Sequence, residues 1–69
     1  MKMFDCDSSL IHSYGYDPDT LEFKVNFHKG GAYTYKGVTQ DRFADFLRAK
    51  SKGQYFLQSI KGLYQWEKS

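Results

Sequence analysis

Leu21-Glu22-Phe23-Lys24-Val25-Asn26-Phe27-His28, then Lys29-Gly30-Gly31, then Ala32-Tyr33-Thr34-Tyr35-Lys36, is the stretch that decides the fold. Leu21, Phe23, Val25 and Phe27 alternate with Glu22, Lys24, Asn26 and His28, which gives a strand with one apolar and one wet face. The glycine pair marks a hairpin, and its register decides the role of two tyrosines. A two-residue turn at Gly30-Gly31 sets Tyr33 opposite His28 and Tyr35 opposite Asn26, with both rings on the wet face as a stacking platform. A three-residue loop, with Gly31 in the left-handed position of a bulge, sets Tyr33 opposite Phe27 and Tyr35 opposite Val25, in the core. The first register turns Lys36 inward, which is costly. The second points Ala32, Thr34 and Lys36 outward, and it is the register expected here.

Upstream, Ser9 to Tyr16 reads as a first strand, joined to the second by the turn Asp17-Pro18-Asp19, where proline fixes φ and the aspartates cap local amides. Downstream the period becomes helical. Thr39 is a helix N-cap with Asp41 favourable in the first turn. Phe43, Phe46 and Leu47 mark the inner face of that helix, and Arg42, Asp45 and Arg48 point away. The helix ends near Ala49-Lys50. Ser51 caps a second helix, with Phe56, Ile60 and Leu63 inside. Gly62 either closes this helix or permits close packing within it. The tail Leu63-Tyr64-Gln65-Trp66 is aromatic, and the last residues are expected to fray. The expected fold class is therefore α+β: a three-stranded antiparallel β-meander followed by two α-helices packed on one face. It forms a single domain over residues 1–69 with its core at about 8–64.

With 69 residues the chain has room for one domain and must stabilise it without a staple, since its single cysteine, Cys6, has no internal partner. The 19% aromatic content is the substitute, because each buried ring removes a large area from water. The start, Met1-Lys2-Met3-Phe4-Asp5, turns acidic before an apolar run develops, and no stretch reaches the length of a membrane span. A cytoplasmic protein without membrane attachment is expected. The net charge of +2 is small for a nucleic-acid binder, but it is unevenly placed. Residues 1–35 carry three lysines against five carboxylates, and residues 36–69 carry seven basic against three acidic side chains. Such an asymmetry marks either a phosphate-facing surface or an ordinary solvated lysine face.

A family pattern runs through these residues: Ser8-Ser9, Ile11, Tyr16-Asp17, Leu21-Glu22-Phe23 with Phe27, a glycine turn, Tyr33-Thr34-Tyr35 with Val38, Ala49-Lys50-Ser51-Lys52-Gly53, Tyr55-Phe56, Ile60 and Tyr64. This order resembles the KTSC domain, named for its occurrence at the C-terminus of some lysyl-tRNA synthetases and also found as free-standing small proteins of bacteria and phages. Many members have Val-Pro where this chain has Val38-Thr39, and threonine caps the helix that proline would start. Many also have a smaller apolar residue in place of Tyr14. The resemblance implies RNA binding by analogy with a tRNA-handling enzyme, and implies no catalysis.

The sharpest local pattern is Arg48-Ala49-Lys50-Ser51-Lys52-Gly53. If Ser51 caps a helix, the amides of Lys52, Gly53 and Gln54 lie at the positive end of its dipole, and Gly53 lets an anion approach the backbone. Arg48, Lys50 and Lys52 add charge, Lys61 adds to the basic face, and Tyr55, Tyr64 and Trp66 are candidate stacking rings. The simpler reading is a tight inter-helix turn in which Gly53 relieves crowding, with the rings completing the core and Trp66 packing the tail against the sheet. His12 and His28 have no spaced partner for base catalysis. Cys6 sits between Asp5 and Asp7, which disfavours a thiolate. Asp5, Asp7, Asp17 and Asp19 read as an acidic arm and a turn. No metal, no cofactor and no catalytic residue is expected. Two functions remain: a non-enzymatic domain gripping an RNA or DNA backbone, RNA favoured, or a protein-interaction module that regulates or inhibits a larger protein, such as a phage protein acting on a host enzyme or defence system. Exposed Phe4 or Trp66, and an open edge on the third strand, would support the second.

Overall fold

The computed structural model describes residues 1–68. The hairpin at its centre is formed by β3 (Glu22–Phe27) and β4 (Ala32–Tyr35). Val25 pairs with Tyr33 and Phe23 with Tyr35, two residues away from the expected register. The loop still has three residues, but they are His28, Lys29 and Gly30, closed by the Phe27 amide donating to the Gly31 carbonyl at 3.0 Å. Gly30 and Gly31 both take left-handed backbone, with φ of 103° and 87°. A shift of two preserves which face each side chain occupies. Tyr35 is accordingly buried, Tyr33 is half-buried against the core, and Lys36 points to solvent.

The sheet has five strands rather than three, in the order β1 (Met3–Asp5), β2 (Ile11–Asp17), β3, β4 and β5 (Trp66–Lys68), all antiparallel. Both added strands come from the termini, and each is only three residues long, too short for a visible alternation. An open edge on the third strand, the feature that would support strand addition there, is not found: β4 is covered by β5, and among the described residues the sheet ends at β1 and β5.

Strand β2 does not alternate cleanly because it carries a bulge. Ile11 pairs with Phe27, Ser13 with Asn26 and Tyr14 with Val25, so His12 is the extra residue. Three positions apart, Ile11 and Tyr14 would lie on opposite faces of a regular strand, and the bulge brings both onto the core face. Before β3, Leu21 belongs to the turn: its φ is 60°, and its amide donates to the Asp17 carbonyl at 2.8 Å.

Both helices, α1 (Gln40–Arg48) and α2 (Lys52–Ser59), cover one face of the sheet. Thr39 caps α1 by accepting from the Arg42 amide, and Ser51 caps α2 by accepting from the Gln54 amide. Phe46 of α1 packs edge-on against Tyr14 and Phe23, with centroids 5.2 and 5.0 Å away. Phe56 of α2 packs against Phe27 and Tyr35 at 5.4 and 5.2 Å. Tyr16 stacks on Phe43 at 4.3 Å and donates its hydroxyl to the Val38 carbonyl at 2.6 Å. Two inner-face assignments are corrected. Leu47 and Leu63 are 42% and 63% exposed: Phe43 and Phe46 take the sheet-facing side of α1, and α2 ends before Leu63. Gly62, with φ 84°, lies beyond that helix and turns the chain toward β5. Among the described residues no helix is long and apolar enough to cross a membrane.

Burial raises the pKa of the phenols of Tyr14, Tyr16 and Tyr35 above their ordinary value. A raised folded-state pKa favours the protonated phenol in the folded protein. The stability it brings is full below the unfolded value of about 10 and is lost as pH rises through the folded values. Denaturant midpoints measured against pH should therefore fall above about pH 10, and Tyr35→Phe should lessen that fall. The helix facing is tested by a pair of truncations. Phe46→Ala should cost about 3–5 kcal/mol in urea unfolding, and Leu47→Ala under about 1 kcal/mol.

Candidate nucleic-acid interface

The basic corner between the helices is built by sequence-local chemistry. Ala49 ends α1 in extended backbone, Ser51 caps α2 in extended backbone, and the chain reverses between them. Arg48 is ion-paired with Asp45 one turn earlier, Lys50 is exposed, and Lys52 is half-buried. Gly53 is buried. A Cβ there would lie 2.8 Å from Ser8 Oγ and 3.3 Å from Leu10 Cβ, so the glycine answers to a close approach of the N-terminal loop. Ser8 Oγ in turn accepts from the amides of Leu10 and Ile11 at 3.1 and 3.3 Å. With the Gln54 amide held by Ser51 and Gly53 backed by Ser8, the first turn of α2 offers little open backbone to an anion.

Three residues grouped with that corner in sequence have other surroundings. The Tyr55 hydroxyl accepts from Arg42 Nη1, and the Tyr64 hydroxyl accepts from Arg42 Nε, each at 3.3 Å. Arg42 was expected to point away; it reaches across to α2 and the following turn, and these hydroxyls raise its pKa further. Lys61 lies beyond the C-terminal end of α2, a helix about 12 Å long at 1.5 Å per residue, and so at the opposite end from Ser51.

Lys61 instead joins a groove of about 320 Å³ between the β3–β4 hairpin, β5 and α2. Tyr33, Trp66, Phe27, Phe56 and Leu57 line it, and Lys29 and Lys61 stand beside them. The groove exists because β5 pairs Trp66 with Tyr35, which sets the indole next to Tyr33 with centroids 5.1 Å apart at 60°. Trp66 is 54% exposed: it extends the sheet edge rather than packing the tail on the sheet. Lys68 Nζ lies 6.0 Å from the centroid of Tyr33, a third cation beside these rings. Sequence reasoning missed this site because its parts are far apart in the chain and meet only once residues 66–68 are known to form a strand.

The remaining candidates are quieter. His12 and His28 meet edge-on at 5.4 Å, and His28 Nε2 is 2.7 Å from the Ser8 carbonyl oxygen, to which it donates. Burial is the leading cause that pushes the Cys6 thiol pKa up; Lys52 opposes it and Asp7 adds to it. Among the described residues no three His, Cys, Asp or Glu side chains gather where they could hold a metal ion.

Comparison with known proteins adds a lineage. The family model of the KTSC domain matches residues 7–64, leaving out β1 and ending two residues before Trp66. A lysine–tRNA ligase of Nostoc sp. (strain PCC 7120) is 36% identical over 61 residues, which are 88% of this chain and 11% of the ligase. The chain thus spans about a tenth of that enzyme's length. An uncharacterised protein of Stutzerimonas stutzeri is 36% identical over 61 residues, covering 88% of this chain and 86% of that protein. The crystal structure of a KTSC domain protein from Yersinia pestis superposes with a TM-score of 0.96 at 37% identity, covering 99% of this chain and 96% of that one.

Two outcomes follow from the corner's packing. Gly53→Ala should lower stability by about 1–3 kcal/mol in urea unfolding, since the methyl must displace Ser8. Cys6 should react with iodoacetamide at mildly alkaline pH more slowly than free cysteine, and at the free rate once the domain is denatured.

Proposed function

The chain belongs to the KTSC domain family, and from that premise we propose that it is a small binding domain, not an enzyme, whose ligand is nucleic acid, RNA before DNA. The observation that carries this reading is the half-exposed Trp66 beside Tyr33, with Lys29, Lys61 and Lys68 around the pair. Aromatic faces that receive bases, set among cations that receive phosphates, are what single strands bind. The preference for RNA rests on the lysine–tRNA ligase relative, whose name ties the matched region to an enzyme that acts on tRNA. The corner at Arg48, Lys50 and Lys52 adds positive charge at the other end of α2 and serves as a secondary phosphate contact.

A second reading is favoured by a different surface. Strand β1 leaves an open edge and exposes Met3 and Phe4, at 37% and 46%, which suits a module that regulates or inhibits a larger protein by strand addition. Salt separates the two, because phosphate contacts release counterions and apolar edge contacts do not. Three lysine–phosphate contacts on a single strand give a log–log slope of about −2, or roughly twenty-fold weaker binding between about 50 and 200 mM salt. Fluorescence anisotropy with a labelled oligoribonucleotide should show this dependence. Lys29→Glu with Lys61→Glu should weaken binding at least about ten-fold and flatten the slope. Affinity unchanged by the double reversal would remove the reading.

A further inference from the structure

Resting on the nucleic-acid reading, we infer that the groove beside Trp66 takes one unpaired base of a single-stranded RNA segment, stacked on the indole, with the adjoining phosphates at Lys29 and Lys61. The inference concerns this chain's own C-terminal strand, since Trp66 and Lys68 lie beyond the residues matched to the family. The apolar lining alone does not say what covers it; the cations do. Lys29 comes from the sheet layer and Lys61 from the helical layer, both are exposed, and among the described residues no carboxylate lines the groove to answer them. An anionic occupant with a flat apolar part satisfies both features.

Shape then separates unpaired from paired RNA. The groove lies between two layers, and Trp66, half exposed at the sheet edge, forms one wall of it. A duplex keeps its bases stacked inside and presents phosphates and a shallow minor groove, so it can touch the lysines but cannot bring a base to Trp66. A single strand can turn one base out while its backbone follows the rim. Tyr33 holds the indole from one side, and half of the indole surface stays open.

Trp66 is the only tryptophan in the chain, so its fluorescence reports directly on the groove. The experiment titrates wild type, Trp66→Phe and Trp66→Ala with a short oligoribonucleotide and with the same sequence as a duplex. Anisotropy is followed for all three, indole fluorescence for wild type, and circular dichroism checks that each variant is folded. The single strand is expected to bind about ten-fold or more tighter than the duplex and to quench the indole. Trp66→Ala should lose about ten-fold in single-strand affinity, and Trp66→Phe should keep most of it. Equal or tighter binding of the duplex, or binding without quenching, overturns this inference while nucleic-acid binding itself stands. If neither form binds, the proposed function fails and the inference fails with it.

Discussion

The rest of this domain depends on one layer of aromatic rings shared between sheet and helices. Phe46 sits on Tyr14 and Phe23, and Phe56 sits on Phe27 and Tyr35. A chain this short buries little surface, and it has neither a disulfide nor, among the described residues, a metal cluster to hold it. Edge-on ring pairs supply burial together with a favourable quadrupole contact of about 0.5–1.5 kcal/mol each. Phe43 and Phe46 of α1 and Phe56 of α2 occupy this layer, and Leu47 and Leu57 are left outside. The bulge at His12 and the glycine at position 53 serve the same layer. The bulge turns Ile11 inward, and Gly53 lets α2 settle against the loop that leads to Ile11.

What was legible in the sequence was what local periodicity writes. Phe23, Val25 and Tyr35 reach the core as their alternation requires, and Thr39 and Ser51 cap helices as their hydroxyls allow. The hairpin register differs by two residues from the expected one because the glycine pair permits a three-residue loop centred on Lys29 as well as on Gly30, while the faces survive because two is the period of the strand. The terminal strands were not legible. Three residues carry no alternation, and Trp66 pairs across a separation of thirty-one positions with Tyr35. The candidate site inherited that blindness. The basic corner is contiguous and so was visible, whereas the groove joins Lys29, Tyr33, Lys61 and Trp66 only in three dimensions.

The two basic surfaces differ in what they leave free. At the inter-helix corner the backbone is already used: Ser51 holds the Gln54 amide, Ser8 crowds Gly53, and Asp45 takes Arg48. At the groove the cations stand beside rings whose surface is still open. Lys36, which borders the same edge of the sheet, is paired with Glu67 at 3.1 Å, so the ion pair fixes β5 on β4 without entering the groove. The fold thus sets its aromatic excess to two uses, with most rings in the core and Trp66 left at the edge.

The central claim is that this aromatic and basic edge is the binding surface, and amide chemical-shift mapping tests it most directly. Titration of isotope-labelled protein with a single-stranded oligoribonucleotide should move the Trp66 indole N–H and the amides of Lys29, Tyr33 and Lys61 together, in one saturable process. Shifts confined to Met3–Asp5, or to Ser51 and its neighbours with Trp66 unmoved, would contradict it.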